Sequence, residues 1–199
     1  MPDKNNRIRE LLSRISALED EIEAIMQQQT EHVLYQLKDG RIRFDQEIEA
    51  AQLRAKKAFP QWLRDSSPAN FVSAPFLYGL FIPMLILDVC LSLYQWICFP
   101  LYRVGTGKRN GYIIIDRHHL KFLNGIEKLN CVYCAYANGL VSYAREIASR
   151  TEQYWCPIKH AGKLKDRHAR YRSFIEYGDT ADYYARLKEY REQLRKAPR

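Results

Sequence analysis

The chain has 199 residues, of which 47% are hydrophobic, and its formal net charge is +8. The positive excess is C-terminal, because residues 1–70 carry 11 Lys/Arg against 12 Asp/Glu whereas residues 103–199 carry 20 against 10. The first ten residues are polar, so secretion through an N-terminal signal is not expected, and five cysteines, an odd number, are typical of a reducing compartment. The uneven distribution of apolar residues predicts an all-α chain of several segments instead of a single globule.

Residues 1–65 predict a charged helical arm. Within this arm, apolar residues recur at alternating spacings of three and four, at Ile8, Leu11, Ile15, Leu18, Ile22 and Ile25. A strict a/d seam of this kind is typical of a coiled coil and predicts a homo-oligomer or a coiled-coil partner protein. The alternative is one amphipathic helix that packs on its own chain. Gly40 is expected to break the arm, and Ile42 to Ala58 predicts a second helix, stopped by Pro60.

Residues 71–102 predict a membrane segment, because they contain a single charge, Asp88, and exceed the roughly 20 apolar residues that a spanning helix needs. Pro83, near the middle, also permits two short half-helices that enter and leave one leaflet. A spanning helix and a re-entrant segment therefore both remain open. Basic residues flank both ends and do not fix the orientation. Asp88 is a candidate functional residue, and its alternative is a charge that faces the interior of a helix bundle.

The remainder predicts a glycine-containing linker over residues 103–115 and a helical hairpin over residues 116–160. Asp116 is a suitable N-cap for the first helix of the hairpin, and Asn138-Gly139 is a typical helix stop. The second helix is expected to end at Trp155, before Pro157.

Residues 161–199 predict a basic, amphipathic helical tail. Its last helix is expected to place four apolar or aromatic residues on one face, namely Tyr183, Leu187, Tyr190 and Leu194. Arginine interleaved with tyrosine can bind nucleic acid. The aromatic residues fall on one face, however, so we expect the tail to cover the hairpin or to lie on anionic lipid, and nucleic acid is not an expected partner.

The predicted hairpin holds most of the residues that can bind a metal: Cys131, Cys134, Cys156, His118, His119 and His160. Cys131-x2-Cys134 followed by Cys156-x3-His160 has the ligand types of a Cys3His site. Zinc in a structural role is the favoured ion, and an iron–sulfur cluster is the alternative. A helical wheel places Cys131 and Cys134 on the polar face, which argues against their being small core residues.

Geometry limits how these ligands can combine. In a hairpin that turns at Asn138-Gly139, Cys134 and Cys156 would lie roughly 20 Å apart along the helix axes. Either the second helix is irregular, or there are two clusters, one with Cys131 and Cys134 and the other with Cys156, His160 and the histidines at 118 and 119. A second copy of the chain could also supply the missing ligands.

The block DRHHLKFLNGIEKLNCVYCAYANGLVSYAREIASRTEQYWCPIKHA, followed by RYRSFIEYGD, resembles a group of small uncharacterised bacterial membrane proteins. The resemblance covers roughly residues 100–180 and leaves out the N-terminal arm. It implies a bacterial, membrane-associated protein. It implies no activity, so it assigns no role to any residue.

These patterns support three hypotheses. The first is a bacterial membrane-associated helical protein that oligomerises through its N-terminal arm and holds a cytoplasmic Cys/His metal site. The second is a metal-free adaptor that recruits a partner through the coiled coil. The third is a membrane-surface enzyme that uses Asp88 or the histidines at 118 and 119, and whether the chain is an enzyme stays open. All three place the protein at the bacterial inner membrane with its C-terminal part in the cytoplasm.

Overall fold

A computed structural model describes residues 2–33, 36–38 and 41–196. The fold is all-α, as predicted, apart from one short hairpin of strands. The chain forms two compact units. The first comprises the described residues up to Phe59 together with His119–Asn124, and the second comprises Pro60–His118 and the described residues from Gly125 onwards.

The first unit begins with the predicted long helix, α1 (Pro2–Val33). The strands β1 (Gln36–Lys38) and β2 (Arg41–Arg43) follow and pair in antiparallel register, with Leu37 opposite Ile42. Helix α2 (Gln46–Ala55) ends before Pro60, so the helix predicted over residues 42–58 is shorter than expected because its first residues belong to β2.

Helix α2 is fastened within this unit by Lys121. The Lys121 backbone N–H donates to Gln52 Oε1 at 2.9 Å, and its ammonium group pairs with Glu49. His119–Asn124 therefore lies against α2, although it is distant from it along the chain.

The second unit opens within α3 (Phe59–Asp65), at Pro60 in the first turn of this helix. It continues with α4 (Pro68–Gly79) and α5 (Phe81–Tyr102). Leu80, between α4 and α5, has helical backbone angles. Its N–H donates to Phe76 O at 3.3 Å, and its carbonyl accepts from Met84 N at 3.2 Å. A re-entrant segment would have to reverse its direction near Pro83. The chain instead stays helical there, because Pro83 lies in the first turn of α5, where a missing N–H is tolerated.

The long helix α6 (Gly125–Trp155) replaces the predicted hairpin, and the predicted stop at Asn138-Gly139 is wrong. Gly139 is buried in the middle of α6 for a different reason. A Cβ atom at this position would lie 2.6 Å from Tyr112 O and 2.8 Å from Ile113 Cα, so the glycine allows another part of the backbone to approach the helix. The helix also begins later than predicted, at Gly125 and not after Asp116, but its end at Trp155 is as predicted.

The backbone that approaches Gly139 belongs to residues 103–115, which we call the strap. Gly107 exchanges two hydrogen bonds with the side chain of Gln95 on α5, at 3.1 and 3.2 Å. Further along the strap, the Tyr112 ring lies 5.8 Å from that of Tyr143 on α6. The strap runs back along both helices, which are therefore parallel to each other, with Tyr78 near Asn130 at one end and Tyr102 stacked on Tyr154 at the other.

The C-terminal tail covers the other side of α6. A 3-10 turn over Ala169–Ser173 buries Tyr171, and α7 (Tyr183–Lys196) follows. Leu187, Tyr190 and Leu194 of α7 are buried, which confirms the predicted apolar face. Leu194 joins the core of this unit with six residues of α5, the strap and α6: Phe99, Val104, Tyr136, Leu140, Tyr143 and Ile147.

Candidate membrane-binding surface and the cysteine–histidine positions

Helices α4 and α5 carry the largest apolar surface of the second unit. Pro68–Tyr102 is long and apolar enough to cross a membrane, and none of its most apolar window is buried in the fold. One stripe of this surface includes Val72, Ile86 and Ile97, whose exposed fractions are 71%, 59% and 51%. An exposed apolar surface of this length marks a contact with lipid or with another protein.

The opposite, inner face of α5 carries core residues such as Phe99 together with a few polar side chains, and it is covered by the strap and α6. Asp88 lies on this face, where Arg109 of the strap donates to its two carboxylate oxygens at 3.2 and 2.6 Å. Tyr136 of α6 donates its hydroxyl to Asp88 Oδ2 at 2.9 Å. Asp88 therefore connects α5 with the strap and α6. This position matches the second interpretation of the sequence, a charge that faces the interior of a helix bundle.

Continuous α6 separates the predicted metal ligands. Cys131 is half-buried and Cys134 is exposed, one turn further along the helix, whereas Cys156 follows the last residue of α6. At 1.5 Å per residue, Cys134 and Cys156 lie about 33 Å apart. One chain with this geometry cannot form the Cys3His site, and the described residues contain no group of three or more Cys, His, Asp or Glu side chains placed to hold a metal. A metal shared between two chains stays a prediction.

The predicted histidines are also divided. His118 and His119 lie in a 3-10 turn, and His118 belongs to the second unit whereas His119 belongs to the first. His160 is exposed, and its ring stacks on that of Tyr171 with a centroid distance of 6.0 Å. The Tyr171 hydroxyl also accepts a hydrogen bond from the His160 backbone N–H at 2.7 Å, so Tyr171 holds the segment after α6 in place.

The sequence analysis missed a partly buried ionic cluster that holds the tail on α6. Glu146 accepts hydrogen bonds from Arg150 at 2.7 Å and from Arg170 at 2.7 and 2.8 Å. Arg150 also donates to Gly105 O on the strap. Burial alone would raise the pKa of Glu146, but the hydrogen bonds from Arg170 and Arg150 outweigh it and hold the pKa below its usual value. The i,i+4 spacing of Glu146 and Arg150 is the sequence signal for half of this cluster.

A second missed contact involves His168. Its Nε2 lies 2.9 Å from Glu152 Oε2, and its Nδ1 accepts from the Tyr171 backbone N–H at 3.1 Å. His168 therefore caps the 3-10 turn and connects it to α6. Both missed clusters are arranged to hold the tail on α6.

Comparison of the chain with family models, curated proteins and solved structures gives no significant match to any of them.

Proposed function

We propose that this chain is a membrane-bound helical adaptor. One surface, the exposed apolar face of α4 and α5, binds the bilayer. A second surface, the apolar seam of α1, pairs with another helix, either in a second copy of the chain or in a partner protein. The single observation that carries the proposal is the apolar face of α4 and α5, which no other part of the described chain covers.

The seam of α1 supports the second half of the proposal. Five of its residues are exposed although their spacing is that of a buried seam, namely Leu11, Ile15, Leu18, Ile22 and Ile25. An isolated helix does not gain stability from such a stripe, but a coiled-coil partner would bury it.

The geometry favours an adaptor over the metal-centred and enzymatic hypotheses. A site for zinc or for an iron–sulfur cluster needs ligands that α6 separates by about 33 Å. A membrane-surface enzyme based on Asp88 needs an available carboxylate, but Arg109 and Tyr136 already occupy this one.

We place the adaptor at the inner membrane of a bacterium, with its C-terminal part in the cytoplasm. The five cysteines are free thiols, which suits a reducing compartment. The positive excess of residues 103–199 suits a location near anionic headgroups.

Membrane fractionation of the full chain tests the proposal. The wild-type chain is expected in the membrane fraction after an alkaline carbonate wash. The double variant Ile86→Lys/Ile97→Lys is expected to be released, because each lysine in the apolar face costs on the order of 3 kcal/mol on contact with hydrocarbon.

Val141→Lys is the matched control. Val141 is 57% exposed, like Ile86 at 59%, but it lies on α6 between Asn138 and Arg145. This variant is expected to stay in the membrane fraction. Recovery of the wild-type chain in the soluble fraction would overturn the proposal.

A further inference from the structure

The helix formed by α4 and α5 is too long for a simple upright span. Pro68–Tyr102 has 35 residues, and at 1.5 Å per residue it measures about 52 Å, against about 30 Å for the hydrocarbon core of a bilayer. Tilt of the helix can absorb part of this difference in length. Tilt does not, however, remove the conflict between a spanning helix and the polar elements that pack beside it.

Helix α6 accompanies this helix over most of its length. The contacts begin at Leu77, whose carbonyl accepts from the Tyr133 hydroxyl at 2.8 Å, and end at Tyr102, which stacks on Tyr154 with a centroid distance of 4.6 Å. Any part of α5 that entered the hydrocarbon core upright would therefore take the neighbouring part of α6 with it. The second half of α6 contains Glu146 and Arg150, whose ionic cluster also holds Arg170.

The strap is a second reason why the unit does not fit an upright span. It lies along α5 and α6 as irregular backbone, with Ile114 and Ile115 exposed. A bilayer core does not accommodate irregular backbone that faces lipid, because its N–H and carbonyl groups find no partner there. The fold of the second unit is thus compatible with lipid on one side only, the outer face of α4 and α5.

We infer that α4 and α5 lie in the plane of a single leaflet, with their outer face in the acyl region and with α6, the strap and α7 on the water side. The partner of this surface is a lipid monolayer, and the protein is monotopic. The inference rests on the proposed membrane binding and specifies its geometry. Its basis is the division of charge: the outer stripe with Val72, Ile86 and Ile97 is uncharged, whereas the ion pairs of this unit lie on the other side of α5.

Spin-label depth measurements on the full chain test this orientation. Single cysteines at Val72, Ile86 and Ile97, in a background with the five native cysteines changed to serine, are labelled in vesicles of phosphatidylethanolamine and phosphatidylglycerol. An in-plane helix gives one shallow depth at all three positions. An upright spanning helix centred near Ile86 places this residue about 21 Å deeper than Val72 and about 16 Å deeper than Ile97.

A label at Val141 is the control and is expected to be in water. Equal shallow depths at the three positions support the inference. A deep Ile86 between two shallow positions overturns it but leaves membrane binding intact. Three labels in water overturn the proposed membrane binding itself.

A second variant guards against loss of the fold in the cysteine-free background. Ile86→Trp, with Trp62, Trp96 and Trp155 changed to phenylalanine and all cysteines retained, reports the same depth through quenching by lipids labelled at shallow or deep acyl positions. Stronger quenching by the shallow label supports the in-plane helix, and stronger quenching by the deep label contradicts it.

Discussion

At the scale of single residues, the second unit depends on a few side chains that fasten the strap. Asp88 is the one charge in the apolar run, and its two oxygens are occupied by Arg109 and Tyr136. Arg150 donates to the strap at Gly105, and Gly139 lets the strap approach α6. Asp88, a candidate functional residue in the sequence, and Gly139, a predicted helix stop, thus share one structural role, which is to hold the strap against α5 and α6.

Gly139→Ala is expected to destabilise the second unit by about 1–3 kcal/mol, although alanine favours helices, because the added Cβ meets backbone atoms that cannot turn aside. Urea unfolding in detergent micelles measures the change. Gly125→Ala is the control in the same helix, since a Cβ there would meet nothing within 4 Å. Equal stability of the two variants would contradict the close approach of the strap.

Glu146→Gln is expected to lower the free energy of unfolding by about 3 kcal/mol at neutral pH, because Arg150 and Arg170 keep their charges without a carboxylate partner. The pKa of Glu146 is lower in the folded chain than its ordinary value of 4.5. Its contribution is therefore complete above pH 4.5 and is lost as the pH falls through the lower folded-state pKa.

Unfolding of the wild-type chain and the variant across the acidic range checks this prediction. The difference between the two is expected to shrink below pH 4.5. A difference that stays constant throughout this range would show that the carboxylate charge is not what holds the two arginines.

At the scale of elements, local sequence patterns predicted helices correctly where contacts with distant parts of the chain do not change the local preference. The presence of a long helix over the seam of α1, the end of α6 at Trp155 and the buried face of α7 follow from spacing and from Pro157, whereas the bounds of α1 were not predicted. The continuity of α6 does not, because Asn138-Gly139 is a stop signal locally, and the reason for Gly139 lies in the strap, which is distant along the chain. The pairing of β1 with β2 had a sequence signal in the dipeptide Asp39-Gly40, although these two residues, and with them the break predicted at Gly40, lie outside the described residues.

The seam of α1 carries a prediction at this scale. Leu18→Lys is expected to abolish self-association of the full chain in detergent, because it places a charge at a d position of the seam. Analytical ultracentrifugation measures the mass. Ala17→Lys adds the same charge one residue away, outside the seam, and is expected to keep the oligomer. A wild-type chain that is monomeric in detergent would instead assign the seam to a partner protein.

The charges beside the seam indicate the orientation of such a pair. In a parallel coil, isoleucine at the a positions with leucine at two of the three d positions favours two strands, and Arg14 at a g position of one chain would lie near Glu19 at an e position of the other. In the cysteine-free background, Leu11→Cys is therefore expected to form a disulfide with itself. An antiparallel pair would leave it unlinked and would link it to Ile22→Cys in a mixture.

At the scale of the whole molecule, the exposed apolar helix could be predicted from the sequence, and the relative positions of the candidate metal ligands could not. A run of apolar residues needs no knowledge of the fold to be recognised, since its chemistry is the same in any arrangement. A site with four ligands depends on where each ligand lies. The separation of Cys134 from Cys156 changed from about 20 Å to about 33 Å once the two predicted helices became one.

The parallel arrangement of α5 and α6 also bears on the order of events during synthesis. Helix α5 is complete at Tyr102, but α6, which covers its inner face, is complete only at Trp155. A nascent chain therefore presents the apolar helix to its surroundings before the residues that complete the unit have left the ribosome. On the proposed membrane geometry, α4 and α5 would therefore contact the leaflet first, and the strap and α6 would fold onto a helix that is already bound to lipid.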